Sequence, residues 1–319
     1  MRLLVTGASG FLGGHVVEAF WEQGHEIAVM ARRTSDLSAV EECIDEVRYG
    51  DMTDLDSMIK AFREVDAILH CAGSVKMVVP HRQLRKTNVE GTRKLVRAAA
   101  ENGVGRVIYA SSLGVHGMKG DGRKPREKYC RSKAEAEEAF FDECSKGGVE
   151  GVALRPGVIY GPRDYTASYH MFRMMEMGNV YLIGDGNTRF PFIYIDDLVN
   201  MFLESLRSKR APGRSFDLTG EEATPRRVFG MIADSLGVDF NPRSISYKMA
   251  MKAARWGELK AVLTGYRGDV GISRFVVQLY GLDHQIDSDE AREVLGFEPS
   301  MGLKEGLLRT AEWYRSIEP

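Results

Sequence analysis

Cysteine is scarce in this chain. Cys43, Cys71, Cys130 and Cys144 are the only four in 319 residues, and no two form a CxxC pair, so neither a zinc site nor a disulfide framework is expected. Neither sign of charge is in excess. With 43 Lys and Arg against 45 Asp and Glu, the formal net charge of -2 lacks the basic footprint that nucleic acid binding requires. No apolar run is long enough to span a bilayer, and Met1 stands against the first strand-like run, leaving no room for a signal peptide. These absences predict a cytoplasmic globular protein whose partner is a small molecule, with no nucleic acid, no integral membrane segment and no metal. The 44% hydrophobic and 28% charged residues are ordinary usage, and the length suggests about two domains.

What the chain does have, at its very start, is a strand that runs into glycines. Arg2-Leu3-Leu4-Val5-Thr6 is followed by Gly7, Gly10 and Gly13, and then by a helical pattern in Val16, Val17, Ala19 and Phe20. Glycines there let the backbone approach a pyrophosphate, which the N-terminus of the next helix attracts. The spacing is Gly-x-x-Gly-x-x-Gly instead of Gly-x-Gly-x-x-Gly, so the context carries the argument: strand before, helix after, and a second strand at Glu26-Ile27-Ala28-Val29-Met30. A dinucleotide site is predicted. An NAD site would place Asp or Glu at the end of that second strand to accept from the ribose 2′-hydroxyl; here the strand ends Ala31-Arg32-Arg33. Two guanidiniums suit a 2′-phosphate, favouring NADP(H) over NAD(H), the alternative being a pair of solvated loop arginines.

Strands and helices alternate from there. Further strands are expected at 47–51, 66–70, 106–112 and 152–155, and helices at 54–63, 82–101 and 127–146. Alternation of this kind predicts an α/β fold, a doubly wound parallel sheet of the Rossmann type, whose ligands bind beyond the carboxyl ends of the strands. Ser111 and Ser112 end the fifth of these strands, and Tyr129 and Lys133 share a face of the helix that follows. A phenol titrates near pH 10, and a neighbouring ammonium would bring it toward neutrality as an acid or base. Of 12 tyrosines only Tyr129 has a lysine four residues on, although an exposed helix-surface pair would show the same spacing.

With these residues in place, the sequence resembles the short-chain dehydrogenase/reductases of the extended type, the NAD-dependent epimerase/dehydratase superfamily. Further matching stretches are Gly50–Asp54, His70–Gly73, Asn88–Thr92, Arg155–Arg163, and Gly184–Gly186 through Arg189 to Tyr194–Asp197. The resemblance implies a catalytic set of Ser112, Tyr129, Lys133 and Asn88, the last beneath the others in a crossover helix. It implies cofactor contacts from Gly7, Ser9, Gly10, Phe11, Leu12 and Gly13, from Arg32 and Arg33, and from Asp51 and Met52 beside the adenine. Cys71, Ala72 and Gly73 along the ribose, Ser111, Tyr129, Lys133, Pro156, Gly157 and Val158 complete that set. Arg163 and Arg189, with Ser112, are the candidates for substrate contact, and a homodimer is implied as well.

The expected division is a dinucleotide-binding unit over 1–165, with returns near 190–220, and a mainly substrate-binding unit over 166–319. Nucleotide-sugar isomerases of the family usually carry an asparagine after the sixth strand, near the position of Gly157, which this chain lacks, and its loop Gly117–Lys124 is short and basic. The amphipathic run Tyr247–Leu263, with Met249, Ala253, Trp256, Leu259 and Leu263, and the stretch Ser273–His284 look more like the 3β-hydroxysteroid dehydrogenase-like branch. Plain packing of that run onto the core is the alternative. The expected activity is hydride transfer at a secondary alcohol or ketone of a bulky, sterol-like substrate. A nucleotide-sugar epimerase or dehydratase with tightly bound NAD(P) is the alternative, and a non-catalytic NADP(H) sensor a third reading, disfavoured by the presence of Tyr129 and Lys133.

Overall fold

Strand β1 (Arg2–Thr6) buries Leu3, Leu4, Val5 and Thr6 without alternation, as a parallel strand covered on both faces must. The computed structural model describes residues 1–117, 125–265 and 272–317. After β1 come α1 (Phe11–Glu22), β2 (Glu26–Ala31), β3 (Glu46–Tyr49), α2 (Leu55–Ala61), β4 (Ala67–His70) and α3 (His81–Leu84). A π-helical stretch, Arg85–Val89, leads into α4 (Glu90–Glu101), followed by β5 (Arg106–Ala110), a 3-10 turn at Leu113–His116, α5 (Lys128–Gly147) and β6 (Glu150–Pro156). The remainder is β7 (Val158–Tyr160), α6 (Ser168–Glu176), β8 (Tyr181–Ile183), β9 (Phe192–Tyr194), α7 (Ile195–Arg207), β10 (Ser215–Leu218), α8 (Pro225–Leu236), β11 (Arg243–Ile245), α9 (Tyr247–Leu263), α10 (Arg274–Gly281), α11 (Asp289–Leu295) and α12 (Leu303–Ile317).

Seven strands form one parallel sheet in the order β10-β6-β5-β4-β1-β2-β3. The chain winds outward from β1 in both directions, so the switch point lies between β1 and β4, where a doubly wound sheet opens a crevice. Side chains sort by parity onto two cores. Leu3, Val5, Ile27, Val29, Leu69 and Ile108 join Val16, Val17 and Phe20 of α1 and Phe202 of α7. On the other face Leu4, Ala28, Met30, Ile68 and Val107 meet Met58, Leu95, Val96 and Phe140 from α2, α4 and α5, and Phe62 just after α2. β7 and β9 form a separate parallel pair, as do β8 and β11. A third, small core joins Ile183, Ala250, Ala254 and Val277, and holds α9 and α10.

The doubly wound fold expected from the sequence is thus the fold observed, with shifts at element ends. The strand expected at 47–51 is Glu46–Tyr49, because Gly50 and Asp51 already turn: the Asp51 carboxylate accepts from the Thr53 N–H and hydroxyl, both at 2.7 Å. The strand expected at 106–112 stops at Ala110, since the Ser112 hydroxyl accepts from Gly114 N at 3.1 Å and starts a 3-10 turn. The helix expected over 82–101 carries the π-helical stretch, which turns Asn88 inward at 2% exposure.

At the crevice, Gly7 has a φ of 80°, and a Cβ there would lie 2.7 Å from the Ala72 nitrogen. The loops after β1 and β4 pack backbone to backbone. A Cβ on Gly13 would lie 2.1 Å from the Gly7 carbonyl oxygen, whereas one on Gly14, a residue later in the same helix, would meet its neighbours at 3.5 Å. Opposite signs follow for the same substitution. Gly13→Ala should cost about 1–3 kcal/mol by overpacking, while Gly14→Ala should be neutral or gain about 0.5–1 kcal/mol through backbone entropy. Urea unfolding of the two variants checks this, and equal effects would contradict the packing of α1 against the glycine turn.

Candidate active site

Helix α1 begins at the crevice with Gly10 at its N-cap, no side chain capping it and no acid in its first turn. Ser9 and Gly10 are exposed, so the first amides of α1 and its positive dipole end face outward for an anion. The geometry fits a dinucleotide pyrophosphate. At the end of β2, Arg32 and Arg33 are exposed; the Arg33 guanidinium stacks 4.6 Å from the centre of the Tyr49 ring, and the charge of Arg32 reaches Asp51. Asp51 is held below the usual carboxylate range chiefly by the Thr53 hydroxyl. Met52 packs on Gly91, where a Cβ would stand 3.1 Å from the Met52 carbonyl.

Cys71, Ala72 and Gly73 follow β4 along the other wall. Cys71 N donates to the Thr6 carbonyl at 3.1 Å and Ala72 N to the Thr6 hydroxyl at 3.3 Å. Burial pushes the Cys71 thiol up to about 12, which removes it as a nucleophile at neutral pH. Beneath this loop His70 is fully buried, its Nδ1 2.9 Å from the Thr6 hydroxyl and its Nε2 3.0 Å from that of Thr92. Burial drives its pKa down to about 3, so the imidazole is neutral and knits β1, β4 and α4 together.

Across the crevice, the Tyr129 phenol faces the Ser112 hydroxyl, which favours its ionised form. The Phe275 ring of α10 meets Tyr129 edge-on, 5.7 Å between centres and 86° between planes. Lys133, one turn on from Tyr129, is buried. Its ammonium donates to the Ala110 carbonyl at 2.7 Å and to the Tyr109 hydroxyl at 3.3 Å, and lies 4.9 Å from the centre of that ring. Asn88 joins three segments: its Oδ1 accepts from Ser74 N at 2.7 Å, and its Nδ2 donates to the Ser74 carbonyl at 3.0 Å and the Ser132 hydroxyl at 3.1 Å. A Cβ on Gly73 would lie 3.5 Å from Asn88 Oδ1 and 3.7 Å from Lys133 Nζ, so the wall after β4 and the Tyr-Lys helix meet here.

Several expectations change. Lys133 was expected to act directly on Tyr129, but its bonds go to β5, and the phenol is instead pushed up to about 12, by burial first, with the Ser112 hydroxyl opposing. Tyr129 therefore holds its proton at neutral pH. Burial also pulls the Lys133 ammonium down, from the usual 10.5 to about 8. The Ser111 hydroxyl turns away, donating to buried Glu137. Glu137 is paired with Arg155, which reaches Asp217 at 3.4 Å, and Asp217 in turn meets His116 at 2.8 Å. Nor are the two candidate substrate arginines free. Arg163, at a φ of 67°, is clamped to Glu18 of α1, while Arg189 pairs with Asp283 at 2.8 Å and Glu222 at 3.1 Å.

Pro156, Gly157 and Val158 lie where β6 leaves the sheet, and a Cβ on Gly157 would stand 2.6 Å from the Pro191 carbonyl oxygen. No side chain fits there, asparagine included. The amphipathic helix expected at 247–263 forms as α9 but packs the other way round: Ala250, Ala254 and Ala261 are buried, while Met249, Trp256, Leu259 and Leu263 face out. Of the basic loop Gly117–Lys124, residues 118–124 lie outside the described residues. Tyr109 and Glu137 carried no motif of their own. Glu137 could have been found, since it stands four residues beyond Lys133 as Lys133 stands four beyond Tyr129.

The family described as NAD dependent epimerase/dehydratase matches residues 3–218 of this chain. Among curated proteins, the chain is 26% identical to a 2-alkyl-3-oxoalkanoate reductase of Stenotrophomonas maltophilia, over 97% of this chain and 98% of that one. It is 27% identical to a 3-beta-hydroxysteroid dehydrogenase of Mycolicibacterium neoaurum, over 99% and 92%. Among solved structures, a UDP-glucose 4-epimerase of Thermotoga maritima superposes with a TM-score of 0.82 over the whole of both chains at 22% identity, which shows a shared fold.

The Lys133 environment sets a sign for stability against pH. Between about 8, where the folded protein releases this proton, and 10.5, where the unfolded chain does, the unfolded chain binds more protons. Stability contributed by Lys133 must then rise with pH across that window, by roughly 3 kcal/mol at most. Urea unfolding at several pH values should show the wild-type stability climbing relative to that of Lys133→Met, and a flat difference would mean the ammonium is not buried.

Proposed function

The chain belongs to the NAD dependent epimerase/dehydratase family and is an NAD(P)-dependent enzyme, and within that family we propose an oxidoreductase that reduces a ketone, or oxidises the matching secondary alcohol, on a bulky and largely apolar substrate. The observation that carries the reading is the Tyr129 phenol, facing Ser112, pushed up to about 12 by burial and flanked by the Phe275 ring. A bound nicotinamide dinucleotide supplies or accepts the hydride. Ser112 and Tyr129 together hold the substrate oxygen. At neutral pH Tyr129 carries its proton, so in the reductive direction it protonates the oxygen as the carbonyl carbon gains the hydride, and the product is the alcohol. Lys133, bonded to the Ala110 carbonyl and Tyr109, fixes the helix that bears Tyr129 and holds positive charge beside the site. Asn88 positions the Ser74 loop and Ser132.

Apolar substrate chemistry is supported by Phe275 at the phenol, by Arg163 and Arg189 being spent on carboxylates instead of free for a diphosphate, and by Gly157, where the Pro191 contact leaves no room for a polar side chain. The relatives named for 3-beta-hydroxysteroids and 2-alkyl-3-oxoalkanoates fit the same class. The unit over 1–165, with α7 and β10 returning to it, is read as the dinucleotide side, and the unit over 166–319 as the substrate side.

Reduced cofactor should change one-for-one with product when bulky hydroxy or keto compounds are supplied, and Tyr129→Phe should lower kcat by about a hundredfold or more while the cofactor Kd stays within about twofold. Full turnover by the Phe variant removes the proposed acid. Isomerisation of a nucleotide sugar without net absorbance change would replace the substrate reading.

The cofactor proposed is NADP(H), because the exposed Arg32 and Arg33 stand at the end of β2 where a carboxylate would serve the ribose of NAD(H). NADPH should bind about tenfold or more tighter than NADH, as one charge-assisted contact supplies. Replacing both arginines by Ser should abolish that ratio, and a wild-type preference for NADH would show that the guanidiniums take no part.

A further inference from the structure

Helix α9 presents its small residues inward and its large apolar residues to solvent. Met249 is 61% exposed, Trp256 72%, Leu259 47%, Val262 49% and Leu263 79%. These five share one helix, and at 100° per residue Met249, Trp256, Leu259 and Leu263 fall on one face. The cations of the helix line the same side: Lys252 lies between Trp256 and Leu259 around the helix, with Lys260, Lys248 and Arg255 flanking them. Its single acid, Glu258, points the other way and is consumed by Arg274 at 2.7 Å. Among the described residues none of the four cations has an ion-pair partner. A chain with a net charge of -2 has thus gathered apolar side chains and unpaired positive charge, with no negative charge, on one helix face.

We infer that the outer face of α9 docks the protein on an anionic lipid surface. An amphipathic helix with Trp and Leu among lysines and arginines lies in the headgroup region, its apolar side chains reaching the acyl boundary and its cations drawn to anionic lipid. A neutral or basic protein surface would not complement this charge. The helix is tied to the catalytic side of the molecule. Tyr247, its first residue, packs against Gly281 of α10, where a Cβ would stand 2.7 Å from the Tyr247 ring, and α10 carries Phe275 onto Tyr129. Docking would thus set the apolar side of the active site beside the bilayer. The inference is about binding and stands apart from the proposed reaction, since its test needs no turnover.

The test is sedimentation of the full chain with vesicles of phosphatidylcholine, with and without phosphatidylglycerol. The protein should partition to the phosphatidylglycerol vesicles about tenfold or more better than to pure phosphatidylcholine, less so at high salt, with a blue shift of fluorescence that Trp256→Phe removes. Lys252→Glu with Lys260→Glu, and separately Trp256→Ser with Leu263→Ser, should each weaken partition about tenfold or more, each cation being worth about fivefold near such a surface. Because these side chains are exposed, the melting temperature of both variants should match wild type, which separates lost docking from lost folding. Absence of binding to anionic vesicles, or binding that both variants retain, overturns the inference. So does a wild-type dimer in size-exclusion chromatography that Trp256→Ser with Leu263→Ser converts to a monomer, which would assign the face to a second copy of the chain.

Discussion

The bond of 2.7 Å from the Lys133 ammonium to the Ala110 carbonyl ties helix α5 to the end of strand β5. Ala110 is the last residue of β5, two before Ser112, and Lys133 is one helical turn from Tyr129. This buried contact, with the bonds of Lys133 to Tyr109 and of Ser111 to Glu137, sets the distance between the strand end that carries the serine and the helix that carries the tyrosine. The charge is expensive to bury, and burial pulls the Lys133 pKa down to about 8. It persists because a carbonyl, a phenol and the face of the Tyr109 ring receive it together.

Around that contact the sheet is braced by hydrogen-bonded polar groups. Thr6, His70 and Tyr109 occupy equivalent positions in three neighbouring strands, joined by a hydrogen bond and a ring stack at 5.2 Å. On the far side, Ser111, Glu137, Arg155, Asp217 and His116 form a connected set that links α5, β6, β10 and the turn after Ser112. Buried charges persist when every member finds a partner, and loss of one member strands the rest. The division of labour between two adjacent serines follows. Ser112 faces the phenol and Ser111 faces the carboxylate because successive residues leaving a strand point to opposite sides.

The two arginines that sequence motifs offered for substrate illustrate how charge is reassigned by folding. Arg163 and Glu18 are 145 residues apart in the chain and are paired, and Arg189 finds Asp283 across 94 residues. A guanidinium in a motif is available to a ligand only if no carboxylate reaches it first, and that is decided by which loops the fold brings together. Arg32 and Arg33 escaped this fate because they follow an inner strand at the open end of the crevice.

The glycine turn, the parallel sheet and the neighbourhood of Ser112, Tyr129 and Lys133 were legible in the sequence, because each depends on local spacing: strand into glycines into helix, and four residues per shared helix face. The sequence also located α9. Which face of α9 turns inward was decided only by tertiary structure. Hydrophobic periodicity points to the Trp256 and Leu263 side, but the space left beside Ile183 and Val277 admits alanines, so Ala250 and Ala254 pack there and the large side chains remain outside. The protonation of Tyr129 was likewise set by packing. Four-residue spacing puts Lys133 on its face, but the length of a lysine side chain lets the ammonium reach β5 instead, and burial then raises the phenol that spacing alone had suggested would fall.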